Sequence, residues 1–223
     1  MIIFKPHLRL STLAQFLPHP TTIVEAGAFT GNDTVKIAQQ WPQATVHAFE
    51  PVPELYAQLC ANTRTVANIV CHQVALSSTD GYAPLHVMHK KNKQGIPSQA
   101  GSLHRPENIE IEHASMQYAG TVQVRTSTLD SWSAVHNIAH IDLLWLDLQG
   151  HELAVLQHAP RMLPATDFIY TEVNFTPRYY GQPTYQELKA WLENHNFSQV
   201  ARDFGEPCGQ RFGNVLFARN DLL

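Results

Sequence analysis

Val24-Glu25-Ala26-Gly27-Ala28-Phe29-Thr30-Gly31, answered further along by Val46-His47-Ala48-Phe49-Glu50-Pro51, decides how this chain is read. An apolar strand enters a glycine-containing turn, a helix follows, and a second strand ends in an acid. That order describes a nucleotide-type cofactor site. The glycines let backbone and ligand approach closely, and a carboxylate at the tip of the second strand can grip both ribose hydroxyls.

Working outward, strand-like and helix-like segments alternate, which predicts an α/β chain with a mainly parallel sheet covered by helices on both faces. Thr22 to Ala28, Thr45 to Glu50 and Asn68 to Leu76 read as strands. Asp33 to Trp41 and Pro53 to Arg64 read as the helices between them, with Pro53 suited to a first helical position that needs no N–H. The alternation lapses from Ser77 to Thr121, apart from a strand at Tyr82 to Met88 and an exposed turn at Lys90 to Gly95. This irregular insertion is expected to form a substrate lid. Thr121 to Thr126 is expected to pair with the Tyr82 strand as an antiparallel ribbon. Order resumes with strands at Ile141 to Asp147 and Asp167 to Val173, an amphipathic helix at Thr184 to Asn194, and closing strands at Phe197 to Arg202 and Asn214 to Arg219.

At 223 residues, with 44% hydrophobic and 15% charged residues, the chain can bury a sizeable core and is expected to be one domain, residues 1–223. A formal charge of −4 offers no broad basic field for nucleic acid, although 13 histidines would move that balance in mild acid. Cys60, Cys71 and Cys208 are odd in number and lack metal-type spacing, which fits a reducing, cytoplasmic setting. No apolar run is long enough for a membrane span, and Lys5, His7 and Arg9 interrupt the N-terminal stretch where a signal peptide would be apolar.

The first turn departs from the GxGxxG pattern of dinucleotide-binding proteins: it is Glu25-x-Gly27-x-x-x-Gly31. A pyrophosphate needs tightly spaced glycines at a helix N-terminus. Glu25 instead sets a negative charge just before the turn, which repels phosphate and welcomes an amine or cation. A cofactor with adenosine at one end and a charged amino-acid sulfonium at the other answers that inversion, namely S-adenosylmethionine.

Further elements carry a family resemblance. With the two quoted stretches, Val74-Ala75-Leu76-Ser77-Ser78-Thr79-Asp80-Gly81, Gly101-Ser102-Leu103, Thr128-Leu129-Asp130 and Ile141-Asp142-Leu143-Leu144-Trp145-Leu146-Asp147-Leu148-Gln149-Gly150-His151-Glu152 make the chain resemble the FkbM family of class I S-adenosylmethionine-dependent methyltransferases. The Asp-x-x-Gly-x-Glu element is the most specific part, since generic methyltransferases share only the glycine turn and the acid. The resemblance implies a Rossmann-like seven-stranded sheet with one antiparallel strand near the C-terminus. It also implies that Glu25, Gly27 and Gly31 line the methionine portion, that Glu50 binds the ribose diol, and that Ala75 lies beside the adenine. Ala28 and Pro51 complete the cofactor set. The family's usual reaction, O-methylation of hydroxyls on sugars or secondary metabolites, implies a small-molecule or carbohydrate acceptor whose identity the residues do not specify.

Transfer to a neutral hydroxyl benefits from positioning and from a general base. Asp147, His151 and Glu172, at or after the ends of parallel strands, are the catalytic candidates. Two have alternatives: Asp147 as a group that orients the cofactor or substrate, and His151 as a helix-capping or surface residue. Glu152 suits the start of a helix by charge alone. His151-Glu152 does not continue into HExxH, because Val155 stands where the second histidine would be. His136 and His140 read as ordinary histidines, and no metal site is assigned, although Asp147 with Glu172 could begin one. Tyr179-Tyr180 reads as loop packing that could instead cover an acceptor. The rival functions are a Rossmann-type NAD-dependent oxidoreductase and a catalytically silent S-adenosylmethionine-binding module.

Overall fold

A computed structural model describes residues 3–4, 8–91, 98–107, 116–205 and 211–223. The elements run β1 (Ile3–Phe4), α1 (Leu10–Phe16), β2 (Thr22–Ala26), α2 (Asn32–Gln40), β3 (Thr45–Phe49), α3 (Pro53–Thr63), β4 (Ile69–His72) and β5 (Ala75–Leu76). They continue with β6 (Gly81–Lys90), β7 (Met116–Ser127), α4 (Leu129–Val135), β8 (Ile141–Leu146) and α5 (Glu152–Gln157). The last are β9 (Thr166–Asn174), α6 (Tyr185–Asn194), β10 (Phe197–Arg202) and β11 (Phe212–Arg219).

The main sheet has the order β1-β10-β11-β9-β8-β2-β3-β4. Two-residue β1 is an edge addition to the expected seven strands, and β11 alone runs antiparallel to its neighbours. Side chains alternate across the central strands as a doubly covered sheet requires. Leu144, Leu146, Ile169 and Val173 pack toward α4, α5 and α6, while Leu143, Phe168 and Tyr170 pack toward α1 and α2. The strand order reverses between β8 and β2, so the tips of β2, β3 and β8 open onto one crevice.

The expected third strand is two strands. The chain leaves the sheet edge after His72, and Ala75 and Leu76 pair instead with Thr126 and Ser127 of β7. Burial decides this, because Ala75 joins Val52, Leu55, Leu85 and Val124 in a small core between the two sheets. The ribbon is antiparallel as expected but longer, from Gly81↔Thr126 to Lys90↔Met116, with a shift at Val87/Met88 opposite Gly120, whose φ is +109°. Helices α1 and α4 were not foreseen. The start of α4 is signalled locally, since the Thr128 hydroxyl accepts the Ser131 N–H as an N-cap. Asn92 to Gly95 of the expected turn, and Cys208, lie outside the described residues; Cys60 and Cys71 are free thiols. Among the described residues no helix is long and apolar enough to cross a membrane.

Under the crevice His47 and His72 share one hydrogen between Nδ1 and Nε2 at 3.0 Å, with Phe49 stacked on His72 and Trp132 edge-on to both. Burial, with the nearby His136 ring, pushes both imidazoles down to about 4 from 6.5. The unfolded chain therefore binds protons between those values that the folded chain refuses, so their contribution is complete above 6.5 and lost as pH falls toward 4. Urea titrations should show stability dropping through that window. His72→Phe should flatten the drop, and an unchanged pH profile in that variant would refute the assignment.

Candidate active site

The crevice encloses about 1010 Å³ of empty space, counting its open mouth. The first wall comes from the β2 turn. Gly27 and Ala28 donate their N–H groups to the Phe49 carbonyl at 3.1 and 2.9 Å, and Ala26 accepts the Asp147 N–H at 2.9 Å, so three strand tips are laced together. A Cβ on Gly27, at φ +95°, would lie 2.1 Å from the Asp147 carbonyl oxygen. Gly31, at φ +84°, caps α2 and would press a Cβ to 2.8 Å from Leu59. The glycines thus admit the protein's own backbone and helix α3 before they admit any ligand, a different reason from the one the motif suggested.

Glu25 is 3% exposed, lines the crevice, and its Oε2 has no hydrogen-bond partner. Burial raises its carboxyl to about 8 against the pull of the Thr34 hydroxyl, and the charges of Asp33 and Asp147 add to the rise. A buried acid with a bare oxygen in a cleft is the complement of an ammonium or sulfonium group. Glu50, at the tip of β3, accepts the Val52 N–H at 2.8 Å, which fixes one carboxylate oxygen and orients the other. Its carboxyl is raised to about 7 by burial, against the pull of the Val52 and Phe29 N–H groups. Beyond it Pro51, Leu55, Val74, Ala75 and Leu76 form an apolar slot wide enough in chemical character for a purine face. All seven residues expected to bind the cofactor are near this crevice; Gly31 alone is behind its lining.

The second wall is the loop after β8. Glu152 Oε1 accepts the N–H groups of Leu148 and Gly150 at 2.8 and 3.2 Å. Those bonds hold Gln149 and Gly150 at φ +52° and +100°, so Glu152 staples the loop rather than facing the crevice. Asp147 is anchored by the Gln149 side-chain amide at 2.7 Å; burial pushes its carboxyl up, Asp33 adds, and Arg178 opposes. Ser102 donates to the Gln149 carbonyl at 2.8 Å, which ties the Gly101-Ser102-Leu103 wall to this loop.

The three candidate bases are not gathered at one point. Asp147 and His151 line the crevice, whereas Glu172 lines a neighbouring cavity of about 190 Å³ with Glu152 and Asn174. Burial, with the charges of Asp147 and Glu152, raises the Glu172 carboxyl to about 8. Glu172 is absent from the crevice lining and stands with Val173 and Asn174 in the smaller cavity. Burial also pushes the His151 imidazole down to about 4, with the rings of His104 and His158 adding, so it is neutral at pH 7. His140 pairs with Asp167 at 3.0 Å and lies 3.9 Å from Asp142, at the N-terminal ends of β8 and β9 and so at the other end of these strands from the crevice. There Asp142 already accepts three hydrogen bonds from Thr21 and Thr22, and Asp167 meets Arg219. His136 packs separately against Trp132 and His72, so it shares no site with His140. Of the tyrosine pair, Tyr179 is buried and hydrogen-bonded to Ala100 and Gln149, and Tyr180 is exposed under Arg105. Ser77 and His104, both bonded to His151, were missed by sequence reading, since neither lies at a recognisable spacing from it.

A doubly wound sheet of this strand order with a cation-seeking acid in its first turn defines a class I S-adenosylmethionine-dependent methyltransferase. The FkbM methyltransferase domain model matches residues 25–198, and the chain belongs to that family. The 2-O-methyltransferase NoeI of Sinorhizobium fredii is 30% identical over 80% of this chain and 72% of its own. Methyltransferase sdnD of Sordaria araneosa is 30% identical over 92% of this chain and 84% of its own. Two solved structures share the fold. A Burkholderia thailandensis 1,6-didemethyltoxoflavin-N1-methyltransferase, with its namesake ligand and S-adenosylhomocysteine bound, gives a TM-score of 0.51 at 16% identity over 95% of this chain and 76% of that one. Magnesium protoporphyrin IX methyltransferase from Synechocystis PCC 6803, with S-adenosylmethionine bound, gives 0.51 at 12% identity over 94% and 76%. The cofactor is S-adenosylmethionine.

Proposed function

We propose that this enzyme methylates a hydroxyl of a small molecule or carbohydrate, with His151 as the base. The observation that carries the reading is one crevice holding an unpartnered buried Glu25 oxygen, Glu50 beside an apolar slot, and a neutral imidazole. The relationship to a 2-O-methyltransferase supports oxygen as the accepting atom. In this reading Glu25, Gly27 and Ala28 form the pocket for the amino-acid end, with Gly31 supporting the turn, Glu50 and Pro51 hold the ribose, and Ala75 packs on the adenine. The bound cofactor supplies an electrophilic methyl group.

The protein's own part is to align the acceptor, exclude water and take a proton. A base held near pKa 4 is adequate for that task. A hydroxyl becomes strongly acidic as its oxygen gains a methyl group, so proton loss is downhill once transfer is under way. What matters at pH 7 is that the Nε2 lone pair is free of a proton. Asp147, anchored by Gln149, is assigned to orienting groups at the mouth of the β8 loop. The insertion supplies the wall Ser98 to Leu103, where acceptor size would be set.

Thermal shift with S-adenosylhomocysteine and with NAD tests the core of this reading. S-adenosylhomocysteine should stabilise the protein and NAD should not; the reverse would favour the oxidoreductase. Hydrogen bonds to a charged group contribute about 1.5–3 kcal/mol each, so Glu50→Ala should weaken S-adenosylhomocysteine by roughly 100- to 10,000-fold when two ribose bonds are lost. Unchanged binding in that variant would refute the ribose assignment.

A further inference from the structure

Three side chains from separate parts of the chain form a line beside the crevice. Ser77 Oγ lies 3.1 Å from His151 Nε2, and His151 Nδ1 lies 3.1 Å from His104 Nε2. Burial holds the His104 imidazole below its ordinary value, and the backbone of Tyr180 pulls the other way, as a carbonyl acceptor beside the ring does. The Nδ1–Cε1 edge of the ring is the one away from His151, 3.8 and 3.7 Å from where a Cβ on Gly181 would stand.

In this reading the line takes its polarity from the Tyr180 carbonyl. A carbonyl only accepts, so His104 carries its hydrogen on Nδ1, and a neutral imidazole then has a bare lone pair on Nε2. His151 must donate to that lone pair from Nδ1, which leaves its own Nε2 bare. Ser77, at the other end, donates its hydroxyl hydrogen to Nε2. One backbone group thus sets the tautomers of two rings, in the manner of a hydrolase triad whose third member orients the second. Here the third member is an imidazole, so the line carries no net charge at rest.

We propose that His104 is the positioning residue and proton relay for His151: it holds the base in the Nδ1–H tautomer with Nε2 able to accept, and it receives the Nδ1 proton as Nε2 is protonated. The inference rests on the methyl-transfer reading. In the balanced step the acceptor hydroxyl replaces Ser77 at Nε2. Its oxygen lone pair forms the bond to the methyl carbon, and the sulfur–carbon pair returns to sulfur as S-adenosylhomocysteine. The acceptor's O–H proton passes to His151 Nε2, and the His151 Nδ1 proton passes to His104 Nε2. The positive charge ends on His104, half-buried at the rim, where the Tyr180 carbonyl stabilises it and water can remove it. Around the pair stand His158, which follows α5, on the side of His151, and His86 of β6 on the side of His104.

Nitrogen NMR of protein labelled at its histidine rings, in complex with S-adenosylhomocysteine, reads each tautomer directly. In the unaltered enzyme both His151 and His104 should be protonated on Nδ1. On acidification the first proton should appear on His104 while His151 remains neutral. His104→Gln offers an oxygen that can accept from His151, and should keep its Nδ1–H form. His104→Phe removes the acceptor and should convert His151 mostly to the Nε2–H form. A His151 that carries its proton on Nε2 in the unaltered enzyme, that keeps Nδ1–H in the Phe variant, or that protonates before His104 overturns the proposal. S-adenosylhomocysteine affinity should stay within about twofold in both variants, because His104 is outside the crevice lining. Failure of the unaltered enzyme to bind S-adenosylhomocysteine would instead defeat the parent reading.

Discussion

Glu25→Gln should weaken S-adenosylmethionine binding by roughly 30-fold to several thousand-fold, the consequence of about 2–5 kcal/mol for losing one partner of a buried charge pair. The same substitution should stabilise the ligand-free protein at alkaline pH. The folded-state carboxyl of Glu25 is raised from 4.5 to about 8, so its contribution to stability is complete below 4.5 and is lost as pH rises through about 8. Glutamine has no charge to desolvate and escapes that loss. Opposite effects on affinity and on ligand-free melting temperature distinguish a ligand-binding acid from a structural one. Binding should also release a proton, because the pocket must ionise Glu25 to receive the cation. Apparent affinity should therefore fall by up to about tenfold for each pH unit below about 8. Calorimetry in two buffers of different ionisation enthalpy measures the proton directly. Equal affinity of the Gln variant would refute the role of Glu25.

Gly27→Ala should unsettle the whole crevice. An L-residue at φ +95° costs about 1–2 kcal/mol, and forcing a Cβ to 2.1 Å from the Asp147 carbonyl adds roughly 1–3 kcal/mol of displacement. For a chain of this size the melting temperature should fall by about 10 °C. Binding of S-adenosylhomocysteine should fall too, because the Asp147 N–H to Ala26 bond that joins the two strand tips must stretch. Gly81→Ala is the control, since a Cβ there meets nothing within 4 Å although its φ of +136° retains the backbone penalty. A loss at position 27 no larger than at position 81 would show that the close approach to β8 is not what requires glycine.

The parts legible in the sequence were those whose signals are local. Apolar runs with a polar tip located β2, β3, β8 and β9 within a residue or two, and Pro53 and Thr184 marked helix starts that the structure keeps. Glu25 and Glu50 were found because one stands just before the glycine turn and the other at the tip of the next strand, and in a parallel sheet strand ends converge on the crevice. The division of the third strand was not legible. Val74 to Leu76 is as apolar as Ile69 to His72, and only the presence of Val124 and Leu85 from the distant ribbon draws Ala75 out of the sheet.

The catalytic side was the less legible one for the same reason. Asp147, His151 and Glu172 looked equivalent along the chain, all at strand ends with a titratable side chain. The fold puts Glu172 in the cavity it shares with Glu152, while the positive-φ loop stapled by Glu152 brings His151 to the crevice lining. Ser77 and His104 stand 74 and 47 residues from His151, so no spacing rule connects them. The sequence by itself determined the sheet, the cofactor and the two acids that line the crevice, because backbone periodicity and charge at a turn are properties of neighbouring residues. Only the tertiary structure decided which candidate base faces the crevice and what holds it, because hydrogen-bond partners and burial are properties of residues that the fold brings together.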